Sequence, residues 1–140
     1  MLFRSIDVTK SELHPLDHLE FTSNFEITSD VLSSGIDDAD LIADSLIFVS
    51  SSDGICFKSD SDSAGFELRL RQGSPGLKSM AVNSSARARY SLDYLKRIVN
   101  ARRLADMAKI HFATEYPMKL VFEVPSKAQL TFILAPRREE

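Results

Sequence analysis

Residues 21–43, FTSNFEITSDVLSSGIDDADLIA, change their hydrophobic period partway, and this change indicates a strand that runs into a helix. The first part alternates apolar or small residues with polar ones, as a half-buried strand does, and the second part has the spacing of an amphipathic helix. The alternating residues are Phe21, Ser23, Phe25 and Ile27, and the helical stripe is Leu32, Ile36, Ala39 and Ala43. Ser29 or Asp30 is placed to cap the helix. The residues expected to face outward are Ser33, Asp37 and Asp40.

Three short strands are predicted after this helix. They are Leu46–Val49, Ile55–Lys58 and Gly65–Arg71. The Asp53-Gly54 pair supplies a hairpin turn between the first two. In the third, Phe66, Leu68 and Leu70 alternate with charged residues, which fits a sheet that has one face in water.

The second half of the chain repeats this order of elements. A strand is predicted at Leu77–Asn83, and Ser91 is placed to cap a second helix. The apolar stripe of that helix is Leu92, Leu95, Ile98 and Val99, and the strands after it are Lys109–Ala113, Met118–Val124 and Gln129–Leu134. Two strand-helix-three-strand repeats therefore predict one α+β domain, in which two helices pack on mainly antiparallel sheets.

Length and composition fit a single globular domain. The chain has 140 residues, of which 44% are hydrophobic and 26% charged, so a disordered or fibrous protein and a second full domain are excluded. Residues 8–19 lack periodicity, and Pro15 favours an extended strap with apolar contacts. No signal peptide or membrane-spanning run is recognisable, so we expect a cytoplasmic, reducing compartment. The single cysteine, Cys56, lies in an apolar run and is expected in the core.

The formal net charge of −3 conceals two halves of opposite sign. Residues 1–80 carry 6 basic and 14 acidic side chains, whereas residues 81–140 carry 11 basic and 6 acidic ones. The small negative total argues against a uniformly basic nucleic-acid binder, but it leaves room for local basic patches.

The sequence lacks the motifs of the common enzyme classes. It has no Gly-rich phosphate loop, no H-E-x-x-H motif and no cysteine pair. His14 and His18 flank Asp17, but a metal site needs about four ligands, and we interpret these as surface histidines of a polar loop. His111 lies in a predicted strand and is expected to be a packed or rim residue. We therefore expect no catalysis, no cofactor and no metal site.

Three runs in the sequence resemble the carboxy-terminal domain of the DNA sliding clamp, proliferating cell nuclear antigen, in its archaeal form. They are residues 38–48 (DADLIADSLIF), 90–95 (YSLDYL) and 130–137 (LTFILAPR), and the last run is followed by an acidic tail. The resemblance extends from about Phe3 to the end of the chain. It implies a domain of two strand-helix-three-strand units, six of which close a ring around duplex DNA with helices lining the hole.

The resemblance also implies a pocket for a short peptide carried by polymerases, ligases and nucleases. The pocket would be formed by the strap at residues 8–19 and by the segment before the acidic tail. The residues at the matching positions are Leu13, Leu16, Leu19, Pro117, Ile133, Ala135, Pro136 and Arg137. The alternative is that Pro117 only turns a hairpin and that Ile133 only packs.

Of the family's amino-terminal domain, only the last strand has a counterpart in the chain, Leu2–Asp7. We expect residues 1–19 to be this remnant strand and the strap, and residues 20–140 to be a single clamp-type domain. In the family, that strand pairs with an edge that corresponds to Gly65–Arg71. We therefore expect self-association through edge strands, either head-to-tail or as a two-fold pair of 65–71 strands. The residues of this association edge are Phe66, Leu68, Leu70, Phe3 and Ile6.

Contact with duplex DNA is expected from the second helix, and it is expected to be weak. The DNA-facing residues would be Lys96, Arg97, Arg102 and Arg103. The first helix and the residues just after it carry acidic side chains where the family usually has basic ones, among them Asp37, Asp40 and Asp44. A pair of helices of mixed sign attracts phosphates less than a uniformly basic lining.

The function favoured by this resemblance is a non-enzymatic docking or assembly module for clamp-binding proteins in DNA replication or repair. One alternative is a processivity clamp, in which single domains, alone or with full-length clamp subunits, close a ring on DNA. Another is a decoy that binds clamp-interacting peptides without encircling DNA. A hydrolase is disfavoured because no constellation of catalytic residues is recognisable.

Overall fold

The computed structural model describes residues 19–100, 105–124 and 128–138, which contain nine strands and two helices. The strands are β1 (Ser23–Thr28), β2 (Ser45–Ser51), β3 (Gly54–Asp60), β4 (Gly65–Arg71), β5 (Leu77–Val82), β6 (Ala86–Ser91), β7 (Met107–Phe112), β8 (Met118–Val124) and β9 (Ala128–Leu134). The helices are α1 (Ser29–Asp40) and α2 (Leu92–Ile98). The predicted fold class is confirmed. Neither helix is long and apolar enough to cross a membrane.

Two antiparallel sheets interlock the halves of the chain. The five-stranded sheet has the order β5-β1-β7-β8-β9, and the four-stranded sheet has the order β4-β3-β2-β6. Each strand that precedes a helix pairs with a strand from the other half of the chain: β1 pairs with β7, and β6 pairs with β2. Each half therefore completes the sheet of the other half, and the described residues fold as one domain.

A single hydrophobic cluster joins both sheets and both helices. At its centre, the ring of Phe25 lies 6.1 to 6.5 Å from the rings of Phe48, Phe57 and Phe112. The predicted stripe residues Leu32, Ile36 and Ala39 of α1 and Leu92 and Leu95 of α2 are fully buried. The helical periods read from the sequence are therefore confirmed by the packing.

Strand β6 was not predicted from the sequence. Its residues, Ala86-Arg87-Ala88-Arg89-Tyr90-Ser91, place alanines and Tyr90 inward, and alanine is depleted in strands. The predicted strand at Leu77–Asn83 exists as β5, but β5 pairs with β1 and does not run into α2. The strand that opens the second repeat is β6.

The start of α1 differs from the prediction. Thr28 is the cap, because its hydroxyl accepts a hydrogen bond from the N–H of Val31 at 3.2 Å. The Ser29 hydroxyl instead donates to the C=O of Ala105 at 2.5 Å, which ties α1 to the segment before β7. Ser33, predicted to face outward, is buried, because α1 packs on both sheets and on α2 and its buried arc is wider than the apolar stripe.

Cys56 lies on the outer face of β3, and its prediction as a core residue is wrong. Ile55 and Phe57 face the core, and strand alternation turns the residue between them outward. Burial, followed by the hydrogen bond to Glu67 and the charge of that carboxylate, raises the pKa of the Cys56 thiol. A raised pKa leaves less of the reactive thiolate at neutral pH.

Candidate docking surface and free sheet edge

The open end of the β8–β9 hairpin brings several predicted pocket residues together. Met118 lies opposite Leu134 in the register. The residues that flank this pair, Pro117 before β8 and Ala135 after β9, therefore lie at the same end of the hairpin. Pro117 is half-buried and Ala135 is exposed, so this end of the five-stranded sheet is open to solvent.

Ile133 lies on the outer face of the same hairpin. It is opposite Lys119, between the inward-facing residues Phe132 and Leu134, and its own side chain is half-buried. A branched apolar side chain on an outer sheet face, next to a lysine, has the character of an anchor point for a partner. Pro136, the residue that follows Ala135, is also half-buried.

The segment after β9 crosses to the other sheet and attaches to β6. The N–H of Arg137 donates to the C=O of Arg89 at 2.7 Å. The Arg137 guanidinium lies 3.3 Å from a carboxylate oxygen of Asp44, which follows α1. These side chains, with Ser45 and Arg138, line a surface depression of about 530 Å³. The tail therefore carries a basic surface beside the exposed end of the β8–β9 hairpin.

The turn between β7 and β8 covers more of the β6 edge. The N–H of Glu115 donates to the C=O of Arg87 at 3.1 Å, and the N–H of Arg87 donates to the hydroxyl of Thr114 at 3.2 Å. Farther along the same turn, the C=O of Tyr116 accepts a hydrogen bond of 2.6 Å from the buried hydroxyl of Tyr90. Burial raises the pKa of Tyr90, so this donor stays protonated at physiological pH.

The two residues that directly follow the predicted strap lie against that turn. The N–H of Glu20 donates to the hydroxyl of Tyr116 at 3.0 Å, and the ring of Phe21 lies 6.0 Å from the Tyr116 ring. Leu19 is half-buried and adjoins this contact in the sequence. The other strap residues of the predicted pocket, Leu13 and Leu16, lie outside the described residues, as do His14 and His18.

His111 packs beside Phe21, two residues after the predicted strap. Its ring lies 5.6 Å from that of Phe21, and its side chain is half-buried, in agreement with the prediction of a packed or rim residue. Burial, followed by the positive charges of Lys119 and Lys109, lowers the pKa of His111. The neutral imidazole is therefore favoured next to a surface that already carries several cations.

The described basic residues of α2 both pair with carboxylates. Lys96 Nζ lies 2.9 Å from a carboxylate oxygen of Asp40 on α1, and this hydrogen bond raises the pKa of Lys96. The Arg97 guanidinium lies 3.7 Å from Asp93 and 5.7 Å from the centre of the Tyr94 ring. Both cations are exposed, but their fields are partly neutralised. Arg102 and Arg103 lie outside the described residues.

β4 is an edge strand of the four-stranded sheet, as the resemblance to the clamp family implied. Its alternation is also confirmed: Leu70 is buried, Phe66 and Leu68 are half-buried, and the charged residues between them are exposed. The other predicted residues of the association edge, Phe3 and Ile6, lie outside the described part of the chain.

Sequence reasoning missed the residues that connect these parts. Arg89, Tyr90 and Tyr116 connect the tail, the β7–β8 turn and the residues that follow the strap, and these three segments are far apart in sequence. The alternation of alanine and arginine before Ser91 was the signal that could have located Arg89. No local pattern marks Tyr116, whose partners are set by the fold.

Residues 16–137 match the family model described as the proliferating cell nuclear antigen, C-terminal domain. The chain is 34% identical over 135 residues to the DNA polymerase sliding clamp of Thermococcus gammatolerans, a match that covers 96% of this chain and 54% of that protein. It is 32% identical over 136 residues to DNA polymerase sliding clamp 1 of Pyrobaculum aerophilum, with the same coverage. The chain therefore spans about half the length of the curated relatives that it matches.

The fold also matches a solved structure. The crystal structure of the proliferating cell nuclear antigen of Thermococcus kodakaraensis aligns with a TM-score of 0.78 at 25% sequence identity. The alignment covers 85% of this chain and 49% of that one, so the similarity again concerns about half of the relative.

Proposed function

The chain belongs to the proliferating cell nuclear antigen family of sliding clamps, and on this basis we propose that it is a non-enzymatic docking module for clamp-binding proteins in DNA replication or repair. It would act in the cytoplasm, in contact with the nucleoid. The observation that supports the proposal best is the convergence of the residues that follow the predicted strap, the β7–β8 turn and the tail at one surface.

This surface has the composition of a peptide-docking site. Ile133 and Pro117 offer half-buried apolar area, and Arg137 and Lys119 supply positive charge around it. Binding hot spots are apolar anchors enclosed by a polar rim that excludes water. The occupant would be a short peptide with an apolar anchor, carried by a polymerase, ligase or nuclease. Leu13 and Leu16 would complete the apolar side.

Peptide binding by matched variants tests the proposal. Fluorescence anisotropy with a labelled synthetic peptide, copied from the clamp-binding segment of a DNA polymerase, measures the affinity. Ile133→Asp places a charge at the apolar anchor and is expected to weaken binding at least about tenfold. Thr131→Asp introduces the same charge two residues earlier on the same outer face of β9, and it is expected to change the affinity by no more than about twofold.

Two results would contradict the docking function. One is an absence of peptide binding by the full chain at millimolar concentration. The other is an equal loss of affinity in both variants, which would mean that a nonspecific effect of charge, and not the anchor at Ile133, governs binding.

A second candidate function, a ring around duplex DNA, is favoured by the edge position of β4. A strand with an open edge can pair with a neighbouring chain, as ring closure requires. The ring would consist of single domains or would include full-length clamp subunits. The ion pairs of Lys96 and Arg97 support only weak attraction of phosphates through α2.

Retention on DNA separates the two candidate functions. A ring is expected to comigrate with a closed circular duplex in gel filtration and to be released when the circle is cut once. Peptide binding without retention on the circle would favour the docking module, including its variant as a decoy. Retention on linear and circular DNA alike would indicate ordinary electrostatic binding instead of a ring.

A further inference from the structure

The free edge of β4 presents backbone groups at alternate residues. The hydrogen bond from the N–H of Gln72 to the C=O of Asp53 sets the phase of the β3–β4 ladder. In an antiparallel pair, the groups of successive residues point alternately toward and away from the partner strand. The N–H of Gln72 points toward β3. Counting back by single residues, the backbone N–H and C=O groups of Arg69 and Glu67 therefore point away from β3. Among the described residues, none hydrogen-bonds to them.

The next residue in the same phase, Arg71, is already occupied. Its N–H donates to the Ser74 hydroxyl at 3.0 Å, and its C=O accepts from the Ser74 N–H at 2.8 Å. An added strand would therefore find its hydrogen-bonding partners in the middle of β4, at Glu67 and Arg69, and would lose them at the end of the strand.

The side chains at these two positions have opposite charge and are two residues apart. A carboxylate oxygen of Glu67 lies 2.6 Å from Arg69 Nε, and the two side chains are 42% and 74% exposed. If a second β4 lay antiparallel with Leu68 opposite Leu68, Glu67 of each copy would face Arg69 of the other. Both pairs would be hydrogen-bonded pairs in the phase that the edge leaves free.

The same register also brings together the apolar side chains on the inner faces of the two β4 strands. Phe66 of one copy would lie opposite Leu70 of the other, and the two Leu68 side chains would meet at the axis. Phe66 and Leu68 are half-buried in one copy, although they pack against the core. Pairing would cover apolar area that a single copy leaves partly in water.

We propose that two copies of this chain pair through β4, antiparallel and about a two-fold axis at Leu68, so that two four-stranded sheets become one continuous sheet. The strand added at the β4 edge is β4 of a second copy, because in this register opposite charges face each other and the free backbone groups of Glu67 and Arg69 meet their counterparts. The pairing differs from the head-to-tail arrangement, in which two different strands meet. It is independent of the docking function, because the docking surface adjoins β6, at the opposite edge of the sheet.

Charge reversal tests the register. Sedimentation equilibrium of the full chain is expected to give the mass of two chains. Glu67→Arg alone, or Arg69→Glu alone, places like charges opposite one another at both pairs and is expected to weaken the dimer at least about tenfold. An equimolar mixture of the two variants restores opposite charges at both pairs and is expected to recover the mass of two chains. A monomeric full chain at high concentration, or a mixture that stays monomeric, overturns the proposal.

Cross-linking tests the axis. In a Cys56→Ser background, Leu68→Cys is expected to form a disulfide-linked dimer on oxidation, because only the axial residue faces its own copy. Gly65→Cys in the same background is the matched control and is expected to remain monomeric, since Gly65 would face Arg71. A head-to-tail pairing would cross-link neither variant. That result, or equal cross-linking of both, overturns the two-fold register.

Discussion

The four-stranded sheet has two edge strands, and their outer backbone groups differ in occupancy. On β6, the groups of Arg87 and Arg89 are bonded by the β7–β8 turn and by the tail. On β4, no described residue bonds the corresponding groups of Glu67 and Arg69. Arg137, which closes part of the β6 edge, also belongs to the candidate docking surface, and the turn that closes the rest leads directly into Pro117. The open β4 edge is left for another strand, which is how an uncovered edge behaves.

The largest expected difference between the edges concerns stability. Ala88 in β6 is fully buried, so Ala88→Asp places an unpaired charge in the core and is expected to lower the free energy of unfolding by at least about 3 kcal/mol. Leu68→Asp in β4 affects a half-buried side chain and is expected to cost about half as much or less, because the carboxylate can reach water. Urea unfolding measures both. Equal losses in dilute protein, in which the chains are single, would mean that the Leu68 side chain is covered as fully as that of Ala88 and that the β4 edge is not open.

A smaller effect is expected when a single edge N–H is removed. Arg137→Pro deletes the donor to the Arg89 carbonyl and is expected to cost about 1 kcal/mol. Arg69→Pro deletes an N–H that points away from β3, a position where edge strands tolerate proline. We expect it to change the stability of the single chain by less than about 0.5 kcal/mol. Urea unfolding of dilute protein is the measurement, and a larger loss for Arg69→Pro than for Arg137→Pro would reverse the assignment of the two edges.

The strand at the open edge could be predicted from its own residues, and its edge position was implied by the resemblance to the clamp family; the strand at the closed edge was not predicted. β4 follows from the alternation of Phe66, Leu68 and Leu70 with charged residues, a pattern that needs no knowledge of its neighbours. β6 has small inward-facing residues, so its hydrophobic signal is weak. Its strand conformation is stabilised by the β2 ladder and by distant residues such as Tyr116. Local periodicity carries no information on such long-range contacts.

The same reasoning explains two errors of detail. Cys56 was expected in the core because an apolar run appeared continuous, but the period of a two-sided strand turns every second residue to the outer face. Ser33 was expected outside because it is polar, but packing of α1 on both sheets and on α2 buries it. In both cases burial depends on which faces of the strand or helix are covered by other elements, and the local sequence does not show this.

The smallest expected effect is a pH dependence of stability from His111, which lies in β7 just before the turn that closes part of the β6 edge. The pKa of His111 is lowered in the folded protein by burial and by Lys119 and Lys109, so the unfolded chain binds this proton more readily. The neutral form is present in both states above the ordinary histidine pKa of about 6.5, and there His111 adds no pH dependence. As the pH falls below that value, the unfolded state takes up the proton first and the folded state loses stability.

Comparison of His111→Gln with the unmodified chain isolates this contribution from that of the carboxylates. Between pH 7.5 and 5.5, the unmodified chain is expected to lose more of its free energy of unfolding than His111→Gln does. Leu68→Ala, on the open edge, is the control: it lowers stability but leaves the pH-dependent part unchanged, because no charge is removed near His111. An equal acid loss in all three chains would show that burial against Phe21 and the charges of the two lysines do not favour the neutral imidazole.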